Sequence, residues 1–296
     1  MAGRVGRRDP HLAVKCEVLV RYLDAWTHLV LRSQRGATFV AAGAADFVAD
    51  ALRVFGESAD RLDGRLRMVT VGAAEPGEWG EPPAGLVMRS VDDPDDVAVD
   101  GPVLAHVDVV DGPLTEVDAW RLVAALGRGK AREVLLTVPA AGQAADYRAR
   151  LGAAGLACVV AVELVAEAGG AQLLVFATGE GRRLETFKNE LWAADEFAGI
   201  RFQDPRDTEP TPVDISLTPQ LLPLRRLLLA ELARRGRCTV ADLQRHTLLE
   251  TMYRPADAVG ALTSAAAAGV VTREPEKGRL TARTVVGYRE GRTPEP

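Results

Sequence analysis

Between residues 37 and 179 the chain alternates short apolar runs with amphipathic stretches, and this rhythm constrains the fold more than any other feature. The runs are ATFVAAGA, RLRMVTVGA, GLVMRSV, VLAHVDVV, REVLLTVP, CVVAVELV and AQLLVFATG, seven predicted strands. Helical stretches fall between several of them, at 45–55, 115–126 and 144–154. Strands that alternate with helices build a mostly parallel sheet covered on both faces. The last two runs are joined only by EAGGA. That link is too short for a crossover helix, so the final strand has to return antiparallel.

Around this segment the spacing predicts further elements. Val14, Val18, Tyr22, Ala25, Trp26 and Leu29 repeat at three and four residues, an amphipathic helix over 12–31 that follows a basic, mobile N-terminus at 1–11. A helix is expected over 182–194, then a Pro- and Asp-rich linker at 204–215, DPRDTEPTPVD at its centre. Beyond it, a helix over 221–235 ends at Gly236, Thr239 caps a second, and Arg254-Pro255 opens a third. Two strands around a Glu-Lys-Gly turn complete a predicted winged-helix domain at 216–292. The predicted α/β domain at 12–203, a Rossmann-like sheet closed by one antiparallel strand, resembles the class I S-adenosylmethionine methyltransferases. The plainer reading, an open α/β sheet that happens to end in a hairpin, stands beside it.

Composition removes several classes. The formal charge is −5, which argues against a chain that coats nucleic acid along its whole length. The charge is uneven: residues 216–296 hold 13 basic and 8 acidic side chains, net +5, and residues 1–215 hold 23 and 33, net −10. Cys16, Cys158 and Cys238 show no metal or disulfide spacing, which points to a reducing compartment, the cytoplasm. No run of about 18 apolar residues and no signal-peptide pattern occurs, so no membrane span is expected. His11, His28, His106 and His246 are scattered without ligand spacing, and neither a GxxxxGK[ST] loop nor a GxSxG elbow is present. Trp120 and Trp192 sit at helical spacing among apolar residues and are expected to pack.

Three segments, in order, carry a family resemblance: VKCEVLVRYLDAWTHLV, FATGEGRRLETFKNELWAADEFAG and TLLETMYRPADAVGAL. Together they resemble the three-Cys-motif partner proteins (TcmP). The resemblance implies a methyltransferase-like domain followed by a winged helix, S-adenosylmethionine as cofactor, and a radical-SAM-like partner that carries the three cysteines. The chain departs from that family where the cofactor would sit. In place of Asp-x-Phe-Ala-Gly-x-Gly it has Ala41-Ala42-Gly43-Ala44-Ala45-Asp46-Phe47. Side chains at 45, 46 and 47 are expected to fill the space that glycines leave for a cofactor.

The candidate residues follow. Gly43, Asp46 and Gly112 stand at the cofactor-loop positions, with Asp46 read more simply as a helix-start residue. Asp108 and Asp111, at the carboxyl end of the fourth strand, are the candidate catalytic residues of a retained methyltransferase. Asp111-Gly112-Pro113 also reads as a plain turn. In the basic C-terminal part, Arg225, Arg226, Arg254, Arg273, Lys277, Arg279 and Arg283 are candidates for nucleic-acid phosphates, while PADAVGALTSAAAAG has no side chain suited to reading bases. Three functions are weighed: an accessory module with a degenerate cofactor loop, a pseudoenzyme; an active methyltransferase; and a winged-helix regulator.

Overall fold

The computed structural model describes residues 9–32, 36–72, 80–127, 131–140, 144–167, 170–194, 199–207, 209 and 211–289. Residues 1–8 of the N-terminus expected to be mobile over 1–11, part of the Gly-Gly link and residues 290–296 lie outside them, while residues 10 and 11 already belong to a helix. In chain order the elements are α1 (Pro10–Arg32), β1 (Ala37–Ala42), α2 (Ala45–Gly56), α3 (Ala59–Leu62), β2 (Leu66–Val71), β3 (Leu86–Val91), β4 (Val103–Asp108), α4 (Glu116–Ala125), β5 (Arg132–Pro139), α5 (Ala144–Ala153), β6 (Cys158–Ala166), β7 (Ala171–Thr178), α6 (Gly181–Ala193) and β8 (Ile200–Gln203). Then follow α7 (Leu222–Arg235), β9 (Cys238–Thr239), α8 (Val240–Glu250), α9 (Pro255–Ala267), β10 (Val271–Glu274) and β11 (Val285–Tyr288).

All seven expected strands form. They belong to one eight-stranded sheet of order β3-β2-β1-β4-β5-β7-β6-β8, a mixed α/β architecture with β1 to β5 parallel. β7 lies antiparallel between β5 and β6, with Leu135 opposite Phe176 and Val160 opposite Phe176 on the other side. The eighth strand, β8, pairs antiparallel with β6 and was missed, because four residues in front of a Pro- and Asp-rich segment carry too little periodicity.

Two apolar cores lie on the two faces of the sheet. One gathers Leu122 and Val123 of α4 with Tyr147 and Leu151 of α5. The other gathers α1, α2 and α6 and runs without a break into Leu228, Leu243, Met252 and Tyr253 of the C-terminal unit. That unit has a three-stranded sheet of order β10-β11-β9. Its helix starts are built as the sequence suggests: Thr239 and Asp242 form a capping box on α8, and Pro255 opens α9.

The segment expected as a loose linker is packed. Val213 and Phe202 exchange backbone hydrogen bonds of 2.7 and 2.9 Å, and Asp204, Val213 and Ile215 are buried. Asp204 accepts from the Met252 N–H at 2.9 Å, and Arg206 donates to the Glu250 carboxylate at 2.6 Å. Proline and aspartate here terminate strands and cap backbone N–H groups, so a composition typical of linkers serves a fixed strap.

The second and third family-like segments meet in space. The Lys188 ammonium on α6 is buried and donates to the carbonyls of Thr247 (2.9 Å), Leu248 (2.6 Å), Thr251 (2.6 Å) and Tyr253 (2.9 Å). Those carbonyls are the orphan acceptors at and just beyond the C-terminus of α8, where a cation is favoured. The Trp192 indole donates to the Met252 carbonyl at 3.1 Å.

Candidate functional site

The sheet order reverses between β1 and β4, and the crevice at the carboxyl ends of those strands is where ligands bind in sheets of this kind. Gly43, Phe47, Asp108, Asp111 and Gly112 lie around it, together with His106, which the sequence did not single out. The structure adds Lys15, from the first helix.

Lys15 and Asp108 are 1% and 0% exposed, and Lys15 Nζ lies 2.6 Å from Asp108 Oδ2 and 2.5 Å from Asp111 Oδ2. The other oxygen of Asp108 accepts from the N–H groups of Val110 and Asp111, both at 2.9 Å. Asp108 is thus fully engaged, a buried carboxylate held by an ammonium and a turn that folds back on it. Asp111 is 38% exposed and is the pair's side toward solvent. His106 is buried against the Phe47 ring with centroids 4.4 Å apart, and its Nδ1 has no partner among the described residues. Burial holds its imidazole down to about 4. It is therefore neutral and adds no charge beside Lys15.

The turns after β1 and β4 touch. A Cβ on Gly112 would lie 2.0 Å from the Asp108 carbonyl oxygen and 3.1 Å from Gly43 Cα, and one on Gly43 would lie 3.0 Å from the Phe47 ring and 3.1 Å from His106. Both glycines are required, but for chain meeting chain. Of the three side chains expected to fill the cofactor space, Phe47 is buried, and Ala45 and Asp46 are exposed in the first turn of α2. Helical periodicity turns only one of the three residues inward, and the Lys15 ammonium lies 5.8 Å from the Phe47 ring centre.

Neither glycine has room for a side chain, and the single ammonium of Lys15 is shared between the two carboxylates. A hollow of about 460 Å³ lies elsewhere, between α5 and the strap, with Arg148, Glu163, Gln203 and Arg206 among its lining residues. Among the described residues no group of three or more His, Cys, Asp or Glu is placed to hold a metal, and no helix is long and apolar enough to cross a membrane.

The basic candidates separate into two groups. Arg226 donates to Asp207 at 2.8 Å, Arg254 grips Asp257 with Nε and Nη2 at 3.0 and 2.8 Å, and Arg273 donates to the carbonyls of Pro275 and Gly278. Arg226 and Arg254 are therefore held in ion pairs within the chain, and Arg273 braces a turn. Arg225 is half-buried, and Lys277, Arg279 and Arg283 are exposed. Both tryptophans pack, as expected: Trp192 is fully buried, and Trp120, half-buried, lies against the core of the other sheet face with Tyr147 stacked on it and the Arg150 guanidinium 3.7 Å from its ring centre.

At the opposite, amino end of β5 a second polar cluster is buried. Glu133 accepts a short hydrogen bond from the Tyr22 hydroxyl and lies 3.6 Å from Arg183 Nε. Burial pushes its carboxyl up to about 7, against the pull of Arg183 and Tyr22. An unfolded glutamate ionises near 4.5, so from about pH 4.5 to 7 the folded chain holds a proton that the unfolded chain has lost. Stability from this group is present below the unfolded value and is lost as pH rises through the folded one. Glu133→Gln, which keeps an acceptor for Tyr22, should therefore gain on the wild type between pH 5 and pH 8 by up to about 3 kcal/mol. Urea denaturation at the two pH values checks this; an equal difference at both would show that Glu133 is ionised in the folded chain throughout.

No family model and no curated protein matches this sequence. Several solved structures are similar to it, among them these three. Protein LPL1258 from Legionella pneumophila str. Philadelphia 1, of family DUF519, is 9% identical over 64% of this chain and 94% of its own, with a TM-score of 0.40. EvdMO1 is 11% identical over 56% and 42%, with a TM-score of 0.34. A mutant of the 16S rRNA (adenine(1408)-N(1))-methyltransferase from Catenulisporales acidiphilia is 14% identical over 53% and 90%, with a TM-score of 0.28. Likenesses this weak carry no argument about chemistry, which rests on the crevice itself.

Proposed function

We propose that this chain is a methyltransferase-type protein that does not take S-adenosylmethionine and acts as a binding or accessory module, with a C-terminal unit of winged-helix form. The strand order and the inserted antiparallel β7 support the methyltransferase-type sheet. The succession α7, β9, α8, α9, β10, β11 supports the winged helix. One observation carries the loss of the cofactor: Lys15 occupies Asp108 and Asp111 while the Gly43 and Gly112 turns meet. The resemblance to three-Cys-motif partner proteins supports a radical-SAM-like protein as the partner, and a gene for one beside this gene would strengthen that assignment.

Calorimetric titration of the full chain with S-adenosylmethionine and with S-adenosylhomocysteine tests the reading. No saturable heat is expected up to about 1 mM of either. Binding tighter than about 10 μM, abolished by Asp111→Asn, would restore the active methyltransferase.

A further inference from the structure

We propose that the loop joining β10 to β11 is a sequence-independent contact surface for the phosphate backbone of duplex nucleic acid, made by Lys277, Arg279 and Arg283. This goes beyond the accessory-module reading and does not depend on the crevice.

The loop consists of two braced turns. In the first, Arg273 donates to the carbonyls of Pro275 at 3.1 Å and Gly278 at 2.7 Å, and Gly278 takes a φ of +98° that favours glycine. In the second, the Thr281 N–H donates to Thr284 Oγ1 at 3.0 Å and the Thr284 N–H to the Thr281 carbonyl at 2.9 Å. This turn is tied to the start of α8, where Val240 donates to the Thr284 carbonyl and Ala241 to the Ala282 carbonyl. Leu280, between the two turns, is buried. Lys277, Arg279 and Arg283 thus project from fixed backbone, which lowers the ordering cost of a contact.

Their charges are uncommitted. In the same unit Arg226, Arg234, Arg235, Arg237 and Arg254 each hold a carboxylate, whereas Lys277, Arg279 and Arg283 have no ion-pair partner among the described residues. Of the two acids nearby in sequence, Glu274 is already taken by Arg237, leaving Glu276. The partner's chemistry follows from what the loop lacks. Its exposed residues are Glu, Pro, Gly, Thr, Ala and cations, with no aromatic or large apolar anchor of the kind on which a protein interface is centred. Phosphate contacts need only placed cations. The outward residues of α9, including Ala256, Gly260, Thr263, Ser264 and Ala267, offer no bidentate partner for a base edge, so binding should be blind to sequence.

Fluorescence anisotropy of the full chain with labelled duplexes of about 20 base pairs, between about 50 and 200 mM salt, tests this. Unrelated duplexes should bind alike, with a log–log salt slope near −2.7, about 0.9 for each of three contacts. Lys277→Ala/Arg279→Ala/Arg283→Ala should weaken every duplex at least tenfold and flatten the slope, with an unchanged melting temperature. Arg279→Lys/Arg283→Lys, which keeps the charges, should bind like the wild type. No binding at low salt, a triple variant that binds normally, a tenfold preference for one sequence, tighter binding of single strands, or equal competition by polyglutamate would each overturn the proposal.

Discussion

Lys15→Met should destabilise the protein by about 3–5 kcal/mol at pH 7, the cost of leaving a buried charge without its partner. The size follows from asymmetry within the cluster. Asp108 is fully buried and keeps only two backbone N–H partners once the ammonium is gone, whereas Asp111 reaches solvent and loses little. Adding Asp108→Asn to Lys15→Met removes the stranded charge and should restore much of the loss, since a buried ion pair replaced as a unit is often close to neutral. Urea denaturation of the two single variants and the double variant measures the coupling. A Lys15→Met penalty below about 1 kcal/mol would mean that Asp108 is hydrated in the folded state and that the crevice is open to solvent.

Lys188→Met should have an effect of similar size with a different signature. Methionine fills much of the same space but leaves the carbonyls of Leu248, Thr251 and Tyr253 without the lysine's donor, at roughly 1–3 kcal/mol for each that stays buried and dry, while the Thr247 carbonyl keeps the Thr251 hydroxyl. Those carbonyls belong to the C-terminal unit and the lysine to the sheet's own helix α6, so the loss should loosen one from the other. Limited trypsin digestion reports it. In the wild type, Arg206 is held by the Glu250 carboxylate and backbone and should be cut slowly; in Lys188→Met the same bond should be cut several times faster. Equal cleavage rates would show that the strap, not the lysine, holds the two parts together.

Both lysines explain how much of the molecule was legible in the sequence. The seven strands and the caps of α8 and α9 were readable because periodicity and cap chemistry are local. The cofactor-loop departure at residues 41–47 was readable too, since a missing glycine shows in a sequence without any partner. The ion pair beside it was not, because Asp108 and Lys15 are 93 residues apart. A signal was nevertheless present. Lys15 lies in register with Tyr22, Trp26 and Val30 on the buried stripe of α1, and Lys188 with Leu184, Leu191 and Trp192 on that of α6. The chain has only four lysines, and a lysine at a position that spacing assigns to the core is rarely buried unless paired. Two of the four could have been flagged as owed a partner. For the arginines of the C-terminal unit no such rule exists, because whether Arg226 meets Asp207 or solvent depends on how the strap is laid down.

The reach of α1 also bears on how the chain is made. Three of its buried polar side chains find partners far along the sequence: Asp108 for Lys15, Glu133 for Tyr22, and the Leu164 carbonyl for His11. During synthesis the helix emerges well before the strands that cover it, and contacts so distant along the chain form slowly. A nascent chain therefore carries an amphipathic segment with an unpaired lysine and exposed Tyr22 and Trp26 for as long as translation takes to cross most of the sheet. Until β6 has left the ribosome, that helix is a natural target for a chaperone.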